Sequence, residues 1–282
     1  MGESTEDRPT ATANADGADP VPAAAMIGEA TVDIHKPKPV HSWREFFGEI
    51  GVIVIGVLIA LGAEQVVEAM HWHEKIDRAE DAMRIELSQD DGPQAYARLL
   101  IGRCLDQRII RIHDQAGTAP PDQLRQWIAG YAPPFRVWDS EAWKLVVAGD
   151  TGSHMASDRA IAWSAPYRIV PNITETAVEE QRLLVELNNA LPPSGAPSAD
   201  DLHTLRLASD QLHMLNRRMI ASSRLFLARI RDNGADLRPA DRAELIRRAQ
   251  ALYGSCISVP DPNARPPADQ LSANLISAST KE

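Results

Sequence analysis

Ile50-Gly-Val-Ile-Val-Ile-Gly-Val-Leu-Ile-Ala-Leu-Gly-Ala63 is the stretch on which the reading of this chain turns. It runs about 14 residues without a charge, roughly 21 Å as a helix, which falls short of the ~30 Å core of a bilayer. Alone it suits a buried soluble helix or the core of a signal peptide as well as a membrane span. The flanks separate the three readings. Phe46, Phe47 and Gly48 extend the run on one side, and Val66, Val67, Ala69 and Met70 on the other. From Phe46 to Val67 the stretch covers about 22 residues, roughly 33 Å. Its charged residues, Glu49 and Glu64, sit near the ends, where a carboxylate costs far less than at the midplane. Trp43 and Trp72 stand just outside, where interfacial aromatics belong. Ser42-Trp-Arg-Glu45 reads as a capping box, and Glu45 and Glu49 lie near the positive end of the helix dipole. A single membrane-spanning helix over 46–67 follows. A cleaved signal peptide has the small-residue end Ala60-Leu-Gly-Ala63 in its favour. Against it stand a leader of about 45 residues and helical sequence that runs straight on.

Orientation rests on a small margin. Lys36, Lys38 and Arg44 precede the span, whereas Lys75 and Arg78 are the first bases after it. The positive-inside rule then puts the N-terminus in the cytoplasm and the bulk of the chain outside. For a bacterial inner membrane that outside is the periplasm.

Over its 282 residues the chain carries a formal charge of −10 and 5% aromatic residues, so aliphatics and alanine must fill any core. No basic footprint for nucleic acid is present. Residues 1–33 hold seven acids and one base, Arg8. Residues 1–41 lack periodicity and read as a disordered tail. Glu6 occupies the place where a myristoylation signal wants Ser or Thr, so no lipid anchor is expected.

The run Gly48-Glu-Ile-Gly-Val-Ile-Val-Ile-Gly-Val-Leu-Ile-Ala-Leu61, the charged helix Glu74–Asp90 and the later Ser140-Glu-Ala-Trp143…Gly149 resemble a broad family of bacterial single-pass membrane proteins. Their anchor reads Gly-Glu-Ile…Val-Ile-Gly-Ile-Leu-Ile-Ala-Leu. The resemblance covers about residues 45–90 and, more loosely, 138–170. His71-Trp-His73 departs from the polar Asn/Trp run of many members. The resemblance implies an anchor and a helical domain, and it carries no known activity.

Beyond the span the pattern predicts an all-α domain over 91–258, followed by an extended or disordered tail over 259–282. The anchor helix continues to about Asp90, with Val66, Ala69, His73, Ile76, Glu80, Met83 and Leu87 at heptad spacing. His73 and Glu80 spoil that seam, so it suits packing on the domain better than a coiled coil. Asp91-Gly-Pro93 predicts a break before a new helix over 93–115. Further helices are expected at 121–130, from a cap at Asp139 or Ser140 to about Ala148, at about 157–164, and at 172–191. The longest begins at Ser198-Ala-Asp-Asp201 and ends at Asn233-Gly234, with Leu205, Ala208, Leu212, Leu215, Met219, Ser222 and Phe226 as its seam. The last runs from Pro239 to Tyr253, with Gly254 as its stop. Asp150–Met155 reads as a loop.

Candidate chemistry is thin. Cys104 and Cys256 both follow the span, and outside the cytoplasm two cysteines tend to pair; two buried free thiols are the ordinary alternative. No CxxC or Cys/His spacing points to zinc. His71 and His73, two apart, face different sides of a helix and cannot chelate as an i, i+4 pair would. Trp138, Trp143 and Trp163, with Tyr167, are a candidate pocket, though aromatics near helix ends more often serve as packing anchors. Arg103, Arg108 and Arg111, or Arg217 and Arg218, would meet an anionic partner or simply form a solvated face. Gly56, Ala60 and Ala63 share a face that would let two anchor helices approach, making a homodimer an option. No phosphate loop, nucleophile frame or cofactor motif is found.

Three functions remain open from sequence. The first is a non-enzymatic, membrane-anchored domain that binds a protein or ligand in the envelope. The second is a ligand-sensing module with the tryptophans as its pocket, weakened because residues 1–45 leave no room for an output domain. The third is a hydrolase of unrecognised type. The expected partners are the lipid bilayer and a protein or second copy, with no cofactor or metal.

Overall fold

The computed structural model describes residues 42–261, apart from Asp139 and the side chain of Glu45. The two tails expected at 1–41 and beyond 261, the Glu45 half of the capping box and the Asp139 cap therefore lie outside the described residues. The chain falls into two units, Met1–Ile59 and Ala60–Glu282. Every described element is helical, and no strand occurs among the described residues.

The described part of the first unit is helical from Trp43, with Phe46 N–H donating to the Ser42 carbonyl at 3.2 Å. Trp43, Phe46 and Phe47 form an aromatic cluster with ring centroids 5.8–6.0 Å apart. The apolar side chains that follow, Val52 to Ile59, stand 48–71% exposed. Helix α1 as a whole is Trp43–Ile85, and its apolar stretch is long enough to cross a membrane, with mean hydropathy 2.3 and none of it buried.

In the second unit, α1 enters the core only from Ile76 onward, through Ile76 and Met83. Glu80, the residue that interrupts the heptad seam, is buried and pairs with Arg159 at 2.5 Å. The expected break at Asp91-Gly-Pro93 does not occur. A π-helical turn, Glu86–Asp91, carries α1 straight into α2, Gly92–Gln115. Gly92 N–H donates to Leu87 O, five residues back. That widened turn absorbs Pro93, which lacks an N–H and would clash with the preceding turn of a regular α-helix. A Cβ at Gly92 would lie 2.6 Å from Leu87 O and 2.8 Å from Leu237 Cδ1. Glycine is thus required by close packing and not by its backbone angles.

The remaining helices are α3 (Pro121–Ala129), α4 (Glu141–Ala148), α5 (Thr151–His154), α6 (Ser157–Tyr167), α7 (Val170–Asn189), α8 (Ala199–Asp232) and α9 (Pro239–Tyr253), with a 3₁₀ turn at Gly254–Cys256. The α8 start is a full capping box: Asp201 N–H donates to Ser198 Oγ and Ser198 N–H to Asp201 Oδ2. Gly234 and Gly254 terminate α8 and α9 with φ of 67° and 68°. Asp150–Met155 is not a plain loop; Asp150 takes a left-handed φ of 59° and α5 follows. At α4 the Ser140 side chain makes no capping bond. Instead Glu86, from the π turn, accepts from Ala142 N–H at 3.0 Å, placing a carboxylate where the helix dipole favours one.

One core joins α2, α7 and α8, filled by Leu100, Leu105, Ile109, Ile173, Leu183 and Phe226 among others. The expected seam of α8 is buried except for Leu215, which is half-buried, and the buried face is widened by Ser209, Asn216 and Ser223, spaced seven apart. Small residues let α2 approach closely. A Cβ on Gly102 would lie 2.6 Å from Ile220 Cδ1.

Candidate functional site

Cys104 and Cys256 are joined by a disulfide across 152 residues of chain. It ties the middle of α2 to the turn that ends α9. Two further bonds follow the same seam: Arg103 Nε donates to Cys256 O at 3.1 Å, and Ser258 N–H to Leu100 O at 2.9 Å. Helix α9 needs these ties, because Ala249 is its one fully buried residue.

Between α9 and α2 lies a cleft of about 510 Å³. Helix α2 supplies Pro93, Ala97 and Ile101, four apart on one face; α9 supplies Leu245, Ala249 and Leu252. The extended link after Pro134 lays Trp138 along one side, and Met219 of α8 closes the base. Trp138 is braced by an edge-on contact with Phe226, centroids 5.5 Å apart. Tyr253 lines the end nearest the disulfide. Arg108 sits over its ring at 4.8 Å, and its hydroxyl donates to Ala132 O at 3.4 Å.

The polar side of the cleft is cationic. Arg98, Arg136 and Arg248 line it, and no Asp or Glu does among the described residues. Arg98 is 4% exposed and forms a fork-to-fork pair with Glu180, at 2.6 and 2.9 Å. Asn216 completes the cluster: its carbonyl accepts from Arg98 at 2.8 Å, and its amide donates to Gly102 O at 2.9 Å and Asp106 Oδ1 at 3.2 Å. Buried charges of this kind persist only when paired and hydrogen-bonded, so the cluster locks α2, α7 and α8 in register beneath the cleft. Nearby Tyr131 is 2% exposed; burial pushes its phenol well up, and Glu180 adds to the shift. Among the described lining residues there is no Ser, Cys, His, Asp or Glu to act as nucleophile or base.

Of the three tryptophans singled out from sequence, one, Trp138, lines the α2–α9 cleft. Trp143 stacks on Tyr167, centroids 5.8 Å apart. Trp163 is 4% exposed in the core, with Arg84 5.8 Å from its ring. Burial, reinforced by Glu86, raises the Tyr167 phenol far above its usual range. Glu141 pairs with Lys144 on the surface. Gly56, Ala60 and Ala63 are exposed, and a Cβ on Gly56 would meet nothing within 4 Å.

The histidines stay scattered. His73 faces Asp77 on the exposed side of α1, His154 stacks on Trp72 at 3.5 Å, His203 is exposed, and His213 lies 2.8 Å from Asp106. No group of three or more His, Cys, Asp or Glu able to hold a metal occurs among the described residues. Of the arginines proposed for an anionic partner, Arg103 and Arg108 are spent on backbone carbonyls and Arg111 lies 5.7 Å from the Trp127 ring. Arg217 and Arg218 are exposed on α8. Sequence reading missed Arg98, Glu180 and Asn216. The one available signal was polar residues recurring every seventh position along α8, in line with its apolar seam.

No family model, no curated protein and no solved structure matches this chain.

Proposed function

We propose that the chain is a single-pass, membrane-anchored helical domain that binds a ligand or protein in the cell envelope, with the α2–α9 cleft as its binding site. The observation that carries the anchor is the uncovered apolar run. Thirteen large apolar side chains between Phe46 and Val67 stand 40–71% exposed. At roughly 1.5–3 kcal/mol for each side chain fully moved out of water, leaving them half wet costs on the order of 10–20 kcal/mol. That rivals the whole stability of an ordinary domain, about 5–15 kcal/mol. Lipid removes the cost, and roughly 33 Å of helix fits a bilayer core. The aromatic cluster at Trp43 and the Trp72 stack suit the two interfaces.

The disulfide supports an oxidising compartment for the second unit. With Lys36, Lys38 and Arg44 on the cytoplasmic side, that compartment is the periplasm of a bacterial inner-membrane protein. The test is side-specific labelling in intact cells. A single cysteine placed at exposed Ser153, in a chain lacking Cys104 and Cys256, should react with a membrane-impermeant maleimide, and one placed at residue 4 should not. The reverse pattern overturns the orientation.

A further inference from the structure

We propose that the α2–α9 cleft takes a small amphiphile with a single anionic group. The apolar body would lie along Ile101, Leu245 and Leu252 and against the Trp138 indole, with the carboxylate or phosphate held by Arg136 and Arg248. This rests on the reading of the cleft as the binding site and is independent of the membrane anchor.

The volume, about 510 Å³, lies within the roughly 300–1,000 Å³ of small-molecule sites. It is too small for a folded partner and well suited to an acyl chain. The charge pattern sets the sign of the head group. Arg136 is exposed and makes no ion pair or hydrogen bond to another described residue. On α9 a single carboxylate, Glu244, serves both Arg247 and Arg248, so one of those guanidinium charges is unbalanced. Arg98 is already neutralised by Glu180, which makes the α2 wall a polar floor without net charge. Among the described residues no acidic side chain lines the cleft to oppose an anion. Beside the same wall, Gln94 Oε1 and Arg98 Nε are buried without hydrogen-bond partners. An apolar trough with a two-arginine rim selects an amphiphile by its tail and the sign of its head.

The experiment uses full-length protein in amphipol and two diazirine photoprobes of equal chain length, a dodecanoate and a neutral dodecanol, with cross-linked peptides mapped by mass spectrometry. The dodecanoate probe should label the segments around Trp138 and 245–253. Arg136→Gln with Arg248→Gln should cut that labelling about tenfold, the scale of two exposed charge contacts, and leave neutral labelling unchanged. Ala249→Trp, which fills the cleft from its α9 wall, should remove both. Each variant is first checked for an intact disulfide and an unchanged thermal transition. Equal labelling by both probes, insensitive to the arginine changes, overturns the anionic class and leaves the cleft as a site for apolar ligands. Labelling that ignores Ala249→Trp overturns the cleft as the binding site.

Discussion

Replacing Cys104 by Ala together with Cys256 by Ser should destabilise the domain and should do so unevenly. The bond closes a loop of 152 residues. Chain-entropy bookkeeping for a loop this long gives about 5 kcal/mol, an upper figure that measured removals approach at 2–5 kcal/mol. For a domain of this size each kcal/mol moves Tm by about 2–4 °C, so a fall of about 10 °C is expected. The loss should concentrate where little else holds. Helix α9 buries only Ala249 fully, and beyond it the chain is held by Ser258 N–H on Leu100 O and Arg103 on Cys256 O. The core of α2, α7 and α8 does not depend on that seam. Hydrogen exchange should therefore rise first and most across 239–258, with α8 protected until global unfolding. The same pattern should follow treatment of the wild-type chain with reductant. An unchanged Tm, or exchange that rises equally in α8 and α9, would refute the view that the disulfide serves as the latch on α9.

Other expectations follow from the same geometry. Arg98→Met leaves Glu180 buried and unpaired and should cost about 3–5 kcal/mol, whereas Arg98→Met with Glu180→Leu should recover most of it; thermal unfolding of these two and of Glu180→Leu alone completes the cycle. Tyr167 and Tyr131 have phenol pKa values raised by burial, so their contribution is complete below the unfolded value of about 10 and is lost as pH rises beyond it. Phenolate absorbance should thus appear together with alkaline unfolding, and Tyr167→Phe should shift that unfolding to higher pH. Ser198→Ala should cost about 1 kcal/mol at neutral pH. Asp201 is held below its ordinary range by the Ser198 backbone and hydroxyl, so the difference should shrink as acid titrates it, which melting curves at pH 7 and pH 3 would show. If the anchor helices pair, Gly56→Leu should abolish cross-linked dimer, and an unchanged yield would remove that face from consideration.

Much of the fold was legible because local chemistry and packing agree. Ser198 and Asp201 cap α8, Gly234 and Gly254 end their helices, and prolines mark helix starts at Pro121 and Pro239. Legibility failed where a tertiary partner overrode a local signal. Asp91-Gly-Pro93 looks like a break, yet a π turn carries the helix through because Gly92 must pass against Ile230 and Leu237. Ser140 looks like a cap, yet Glu86 arrives from another helix to do that work. The cleft was half visible. Trp138 was singled out, but its companions are on α9, brought there by Cys256, and not Trp143 or Trp163. The pair Arg98–Glu180 was invisible, since residues 82 apart in the chain carry no sign that they meet.

Extraction of native membranes with alkaline carbonate bears most directly on the anchor. The full-length chain should stay in the pellet, and a variant with Val54, Leu58 and Leu61 replaced by Arg should move to the supernatant. Release of the intact wild-type chain would contradict the account, because the run from Phe46 to Val67 would then have found cover from protein instead of lipid.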